Sequence, residues 1–530
     1  MIAVGRAPCD EGAIRAGPDT TGCAARARPW VLVATILGSS MAFIDGSVVM
    51  VALPAIQADL STSVRGAQWI VNGYMLMLGA LILAGGAIGD RFGRRRVFAI
   101  GIVVFTAASM ACGLAPDTAM LVAARVAQGI GGALLVPSSL AIISAAFPES
   151  ERGRAIGTWA GFSALTTAFG PVLGGWLVDA MSWRAIFFIN LPIGLVTLGL
   201  VLWRVPESRN DDDSSGVDWR GALLATIGLG AIAYGLTAAS DQNWTHPTVL
   251  GSMLAGTLVL VAFVWSEERA ASPMMPLGLF RSPTFSGANV ITLLLYFALS
   301  GALFFLPFNL IQVQGYSATL AGAAFLPFTL IMGGLSRWSG GLLDRYGARG
   351  PLTVGPIIVA AGFALLAVPG IGGSYWTTFF PAMIVLGFGM AISVAPLTTT
   401  VMGSVEDRHA GVASGINNAT ARVAGLLAVA MLGAVAVGVF GNALDDRLAD
   451  LQVSSEIRHA MSEEVPRLAE AEVPPQADRA QRELLARALD ESFVSSFRVV
   501  MLAAAVLALL SALSARLTIA PMRDPARGPG

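Results

Sequence analysis

The stretch GAIGDRFGRRR at residues 86–96 lies between two apolar runs, residues 69–85 and 97–115. Each run is about long enough to cross a hydrocarbon core of roughly 30 Å, so the stretch is predicted to be a short loop between two membrane helices. Four arginines crowd this arginine-rich loop. Because arginines in short loops remain on the cytoplasmic side, the loop orients both helices.

The other residues of the arginine-rich loop suit helix contacts that form and break. Gly86, Gly89 and Gly93 have no side-chain bulk, so backbones can approach or turn there. Asp90 is an acceptor for charge-assisted hydrogen bonds from a neighbouring arginine or a helix N-terminus. We therefore expect this loop to hold helices together in one state and to release them in another.

The composition is that of a polytopic membrane protein. Of 530 residues, 55% are hydrophobic and only 13% are charged, which is far too apolar for a soluble chain of this length. The formal net charge of -1 gives no sign of nucleic-acid binding. The expected surroundings are a lipid bilayer, in a bacterial cell membrane.

All 33 basic residues are arginine. Without lysine the chain has neither a P-loop lysine nor a Schiff-base lysine, so we expect no nucleotide-driven pumping and no cofactor. The three cysteines are too scattered for a metal site or a disulfide framework. No nucleophile and base pair stands out in the polar segments, so an enzyme is not expected.

Fourteen apolar spans are predicted, giving an all-α fold of two six-helix bundles with two inserted helices. Both termini then lie on the cytoplasmic side. The predicted divisions are a tail at 1–28, an N-terminal bundle at 29–204, a linker with two helices at 205–283, a C-terminal bundle at 284–519 and a tail at 520–530.

The arginine distribution agrees with this topology. Segments assigned to the cytoplasm hold 22 arginines, whereas the short outer loops hold only Arg65 and Arg184. The long segment 441–493 is set aside in this count. Shifting the assignment by one span removes the asymmetry.

The chain also contains an internal repeat. GGLLDRYGAR at residues 340–349 resembles the arginine-rich loop, and Asp344 follows Asp90 by 254 positions. Pro396 follows Pro137 by 259 positions. Nearly constant offsets predict two duplicated halves, the usual architecture of secondary transporters with a site near the membrane midplane.

Residues 441–493 form the one long extramembrane segment, with 12 acids and 6 arginines. Leucines at helical spacing predict two amphipathic helices outside the membrane, broken near Pro474 and Pro475. Two interpretations stay open, a solvated cap without a transport role and a surface that binds a partner.

Three ionisable residues lie inside predicted spans, where charge is costly and therefore marks function. Asp45 is in the first span, Arg125 in the fourth, and Arg422 in the thirteenth beside Asn417 and Asn418. Asp45 and Arg125 lie at similar depths, so the arginine can reach the carboxylate.

Asp45 is the predicted proton carrier. Burial raises the pKa of a carboxyl group and a nearby arginine lowers it, and this balance suits exchange of a proton for a cationic substrate. The alternative is a permanent ion pair of Asp45 and Arg125 that only fixes helix packing.

The fifth span contains GFSALTTAFGPVLGG at residues 161–175. Its small residues permit close helix contact, and Pro171 removes one backbone hydrogen bond and favours a kink. The equivalent segment of the second half, residues 423–434, lacks the Gly-Pro pair.

Together these motifs resemble the major facilitator superfamily, and in particular its 14-span drug:proton antiporters. The arginine-rich loop is similar to the family's signature loop, and GPVLGG at 170–175 to its antiporter motif. DGSVVMVALP at 45–54 and LVAARVAQG at 121–129 resemble its first-helix and fourth-helix motifs. Ser47 and Met50 differ from the usual Thr and Asn.

The resemblance implies roles for these residues in a proton-coupled exporter. It implies proton coupling through Asp45 and Arg125, and cytoplasmic gating through Gly86, Asp90, Arg91, Gly93 and Arg94. It implies that Gly161, Gly170, Pro171, Gly174 and Gly175 form a helix interface that limits leakage. Residues expected near the substrate path are Trp69, Tyr74, Asn190, Asn417, Asn418 and Arg422.

The predicted function is proton-driven export of lipophilic, cationic small molecules by alternating access. Aromatic faces with one carboxylate suit such substrates. Two alternatives stay open. One is a dedicated exporter of a single antibiotic or metabolite, and the other is a non-transporting membrane sensor or interaction protein.

Overall fold

The computed structural model describes residues 22–209, 216–406, 409–451 and 453–521. Over these residues the chain is helical, without β-strands, and fourteen helical segments are long and apolar enough to cross a membrane. The predicted all-α fold with fourteen spans is confirmed. Parts of the two predicted tails, residues 1–21 and 522–530, lie outside the described residues, as do the three aspartates at 211–213.

The first six spans are formed by seven helices. The first helix begins earlier than predicted, at Gly22 inside the predicted tail. The bounds are α1 Gly22–Asp59, α2 Val64–Phe92, α3 Arg94–Gly113, α4 Thr118–Ala146, α5 Glu149–Ala180, α6 Ala185–Phe188 and α7 Asn190–Arg204.

The two inserted helices are α8 Trp219–Ala238 and α9 Pro247–Arg269. They pack against each other, and α8 also contacts both halves: Ala233 clusters with Leu76 of α2 and with Leu426. The remaining helices are α10 Pro283–Phe308, α11 Ala318–Ala323, α12 Leu326–Gly340, α13 Leu342–Tyr346, α14 Arg349–Leu366, α15 Tyr375–Gly403, α16 Ala410–Asp450, α17 Ser455–Glu464 and α18 Arg479–Thr518.

The long segment after the thirteenth span differs from its prediction. Its two amphipathic helices are continuations of α16 and α18, and the irregular chain is confined to the stretch between them, which includes Pro474 and Pro475. Leu448 and Leu485 are fully buried in the same core cluster. The leucine spacing thus marks the apolar faces of helices that extend beyond the membrane.

The short helix α17 and the turn after it complete this cap. Ile457 and Met461 pack into the core cluster, and Glu470 accepts a hydrogen bond from Gln312. Burial raises the pKa of Glu470, while the bond from Gln312 opposes that shift. The cap is therefore attached to the end of the tenth helix as well as to α16.

The helices α5, α11 and α12 of the two halves are in close contact only at the end remote from the arginine-rich loop, among the described residues. Remote from the arginine-rich loop, α5 and α11 approach backbone to backbone: a Cβ added at Gly175 lies 2.1 Å from the carbonyl oxygen of Ala318. Near the arginine-rich loop, Gly157 of α5 and Gly334 of α12 have no neighbour within 4 Å of an added Cβ. At this end the halves meet instead through α2 and α16, where a Cβ added at Gly415 lies 2.7 Å from Leu83 Cδ2.

Candidate functional site

A charge cluster is buried inside the N-terminal half, where α1 meets α4. Asp45 is 0% exposed and Arg125 is 1% exposed. The Arg125 Nη1 donates to Asp45 Oδ2 over 2.5 Å, and Gln128 Nε2 donates to Asp45 Oδ1 over 2.8 Å. Both carboxylate oxygens therefore have donors, which suits the ionised form of Asp45.

Arg125 is held from several sides. Its Nη1 also donates to Gln128 Oε1 at 2.7 Å, and its Nε donates to the carbonyl oxygen of Ile70 at 3.0 Å. The guanidinium lies 4.3 Å from the centroid of the Tyr74 ring, a cation–π distance. A cluster so fully bonded neutralises its own charges, and protonation of Asp45 removes the anion that anchors Arg125.

Arg422 is the contrasting charge in the C-terminal half. It is only partly buried on α16, and no hydrogen bond or ion pair of its guanidinium is found among the described residues. A Cβ added at Gly79 of α2 lies 3.1 Å from the Cβ of Arg422. Arg422 therefore lies where α2 of one half faces α16 of the other.

The remaining residues expected near the substrate path separate into different environments. Asn417 donates to Asn289 at 3.2 Å and to Thr292 at 2.6 Å, across α10 and α16. Asn418 lies one turn before Arg422, partly buried and without a hydrogen-bonded partner among the described residues.

Two of those residues are engaged away from the charge cluster. Trp69 packs its ring 6.4 Å from that of Tyr234 on the inserted helix α8. Asn190 is fully buried and donates to Ser109 of α3 at 3.0 Å. Their contacts are with neighbouring helices rather than with Asp45.

The arginine-rich loop is shorter than predicted, because residues 86–92 belong to α2 and residues 94–96 to α3, so that only Gly93 lies between the two helices. Arg94 Nε donates to Asp90 Oδ1 over 2.8 Å. Gly93 has φ +105°, a conformation that side chains rarely adopt, and its missing Cβ leaves room for Glu207. Arg91 is exposed beside the ring of Phe92.

Glu207 is the residue that organises this loop. Its two carboxylate oxygens accept from the backbone N–H groups of Arg95 at 2.9 Å and Arg96 at 3.2 Å, at the first turn of α3. A carboxylate at a helix N-terminus satisfies unpaired N–H groups and the helix dipole. Gly89 and Gly86 pack toward Ser138 and Pro137 of α4.

The glycine-rich motif of α5 faces two partners. Gly170 and Gly174 lie against Ser47 and Val48 of α1, whereas Gly175 lies against α11 of the other half. Gly161 has no neighbour within 4 Å of an added Cβ.

Pro171 completes the contact between the halves. A Cβ added at Gly322 lies 2.1 Å from the Pro171 carbonyl oxygen. Asp179, at the end of α5, accepts from the backbone N–H of Ala318 at 3.1 Å and of Thr319 at 2.8 Å. The two halves are thereby joined at the end remote from the arginine-rich loop.

Sequence reasoning missed Gln128, Glu207 and Asp179 as site residues. Gln128 follows Arg125 by three positions on a helix, a spacing that places both side chains on one face. Glu207 and Asp179 act on partners more than 100 residues away in the sequence, and nothing local in the chain indicates those partners.

The fold and these motifs agree with comparisons to known proteins. The family model of the Major Facilitator Superfamily matches residues 35–429. The multidrug resistance protein Stp of Mycobacterium tuberculosis is 35% identical over 479 residues, covering 89% of this chain and 88% of the relative. The tetracenomycin C resistance and export protein of Streptomyces glaucescens is 36% identical over 431 residues, covering 80% and 79%.

A solved structure shares the same fold. A bacterial homologue of the human lysosomal transporter Spinster superposes with a TM-score of 0.66 at 18% identity, covering 93% of this chain and 98% of that one. The sequence motifs, the fourteen spans and the length of the matched region all agree with the family match. This chain is a multi-pass membrane protein and belongs to the major facilitator superfamily.

Proposed function

We propose that the protein exports lipophilic compounds from the cytoplasm in exchange for protons, by alternating access of a central site to the two sides of the cell membrane. The observation that carries the proposal is the buried cluster of Asp45, Arg125 and Gln128. The cluster contains one carboxyl group within a membrane span, and a proton-driven transporter needs a titratable group there.

Protonation of Asp45 is the step that links the cluster to transport. A proton arriving from outside binds one carboxylate oxygen of Asp45. That oxygen no longer accepts its hydrogen bond, and the guanidinium of Arg125 is released. Loss of the proton to the cytoplasm restores the ion pair of Asp45 and Arg125. While the pair is broken, the site attracts a cationic group less strongly, so substrate leaves on the outer side.

The two ends of the molecule supply the gates. The arginine-rich end faces the cytoplasm in this proposal, with both termini on that side, and no cofactor takes part. Asp90, Arg91 and Arg94 exchange partners when the cytoplasmic side closes, and the contact of Gly175 with Ala318 separates when the outer side opens. The cap beyond α16 also bonds to the other half, where Gln57 of α1 donates to the carbonyl oxygen of Arg467 at 3.0 Å, and this bond breaks when the outer side opens.

A dedicated exporter of one compound is the second candidate. It is favoured by relatives named for single antibiotics, such as the tetracenomycin C resistance and export protein. The mechanism is the same in both candidates, and the difference lies in the residues that contact the substrate.

Transport in inverted membrane vesicles tests the proposal. Under an imposed proton gradient, ethidium is added to vesicles with wild type or Asp45→Asn, and dequenching of a pH-sensitive dye reports proton efflux. We expect dequenching with wild type and none with Asp45→Asn, because an amide cannot carry the proton.

Asp241→Asn is the matched control, since Asp241 pairs with Arg65 at the surface, outside the cluster. It should behave as wild type. Equal dequenching by wild type and Asp45→Asn at equal expression assigns Asp45 a purely structural role. No response to a panel of lipophilic cations favours the dedicated exporter instead.

A further inference from the structure

The charge cluster of the N-terminal half leaves one interior charge unbalanced. Asp45 is neutralised by Arg125, whereas Arg422 has no acidic partner among the described residues. The centre of the molecule thus holds one carboxylate and two guanidiniums. A guanidinium inside the membrane is costly unless an anion, water or a ligand faces it.

Arg422 faces the space between the halves rather than the lipid. One turn further along α16, a Cβ added at Gly425 lies 3.2 Å from Met75 of α2 and 3.1 Å from Ser300 of α10, so this part of α16 lies between the two halves. The close approach of α2 at Gly79 covers one side of the Arg422 stem. Arg422 therefore lies at the surface where the two halves meet.

Further hydrogen-bond donors surround Arg422. Asn418 precedes it by four residues on α16, so both side chains lie on one helix face. Tyr296 is partly buried on α10, and its hydroxyl, like the Asn418 amide, has no bonded partner among the described residues. Ser300, one turn beyond Tyr296, lies 3.1 Å from a Cβ added at Gly425.

We propose that Arg422, with Asn418 and Tyr296, binds an acidic oxygen group of the substrate, such as a carboxylate or an enolate on a lipophilic ring. The planar guanidinium matches such a group with two parallel N–H donors. This subsite rests on the proposed export function and extends its substrates to acidic lipophilic compounds, beside the cations that Asp45 serves.

Equilibrium binding to the purified full-length protein in detergent tests the subsite without any proton gradient. The probes are 9-anthracenecarboxylate and 9-anthracenemethanol, which share one ring system and differ in charge, and fluorescence anisotropy reports binding. We expect wild type to bind the carboxylate about tenfold more tightly than the alcohol, as one charge-assisted bond implies.

Arg422→Gln is expected to remove this preference, and Arg422→Lys to retain part of it. Arg498→Gln is the matched control, since Arg498 donates to the carbonyl oxygen of Ala367 on α14's C-terminal side, away from the site. It should keep the full preference. Equal binding of both probes by wild type, or a full preference in Arg422→Gln, overturns the proposal.

If Arg422→Gln cannot be recovered as monodisperse protein, Tyr296→Phe serves instead. Removal of one donor should lower the preference about threefold, and an unchanged preference contradicts the subsite. Asp45→Asn separates this inference from the proposed function. Loss of proton-coupled export with the carboxylate preference intact supports the subsite, whereas export without any such preference overturns the subsite alone.

Discussion

Each half of the protein has an arginine within its membrane spans, and the two arginines have opposite environments. Arg125 is 1% exposed, and its charge is matched by Asp45 and its donors by Gln128 and Ile70. Arg422 is partly buried and faces the space between the halves without an acidic partner among the described residues. The same side chain therefore serves two tasks, one internal to the protein and one directed at a ligand.

Desolvation explains the difference. A fully buried guanidinium needs both charge compensation and hydrogen bonds, and α4 supplies them by placing Gln128 one turn from Arg125. A partly buried guanidinium keeps access to water when the molecule is open, so it tolerates an incomplete set of partners. In the proposed mechanism, the N-terminal half holds the carboxylate that couples transport to protons, and the C-terminal half holds the proposed substrate subsite.

Removal of the Arg125 charge should have the largest effect on stability and transport. Arg125→Gln leaves Asp45 without its cation inside the membrane, and loss of one partner of a buried pair costs about 3–5 kcal/mol. We expect a large drop in the midpoint of thermal unfolding in detergent and loss of proton-coupled transport.

The double variant Asp45→Asn with Arg125→Gln checks that the unpaired charge causes this loss. The double variant should unfold at a higher temperature than Arg125→Gln alone, because its second substitution replaces the unpaired, buried carboxylate of Asp45 with a neutral amide. A single variant as stable as wild type would mean that water or another group compensates Asp45.

The sequence predicted where the charged residues lie in the spans, but it did not predict all of the residues that bond to them. Asp45 and Arg125 stand out because ionisable residues are rare in apolar spans, and their depths match. Gln128 does not stand out, since a glutamine in a helix indicates nothing until its neighbours are known. Arg422 was expected near the substrate path, but only the packing of α2 against α16 distinguishes it from Arg125.

The number of spans was predictable because hydropathy indicates which segments cross a membrane, and the family was predictable from the motifs at 45–54, 86–96, 121–129 and 170–175. The two amphipathic helices after the thirteenth span were also predicted, but not that they continue α16 and α18 without a break, because leucine spacing does not show where a membrane helix ends. The contact of Asp179 with α11 was also out of reach, since it depends on which end of the transporter is closed.

Gln128→Leu weakens the charge cluster without removing a charge. Leucine has a similar volume, but Asp45 Oδ1 loses its donor and Arg125 loses one acceptor. Bonds to charged groups contribute about 1.5–3 kcal/mol, so the unfolding midpoint should fall, though less than for Arg125→Gln. Asn72→Leu is the comparison, because Asn72 is a buried amide on α2 whose side chain makes no hydrogen bond to either charge among the described residues. Equal midpoints for Gln128→Leu and wild type would show that the amide does not support the cluster.

Asn418→Asp gives Arg422 the partner that Arg125 already has. The aspartate lies four residues before the arginine on one helix face, a favourable order for an ion pair. At such a partly exposed site the pair contributes about 1 kcal/mol at most, so binding of 9-anthracenecarboxylate should weaken about fivefold, with little change for 9-anthracenemethanol. Asn418→Ser removes the amide without adding charge and should weaken binding less. If both variants act alike, the amide matters and the charge of Arg422 does not.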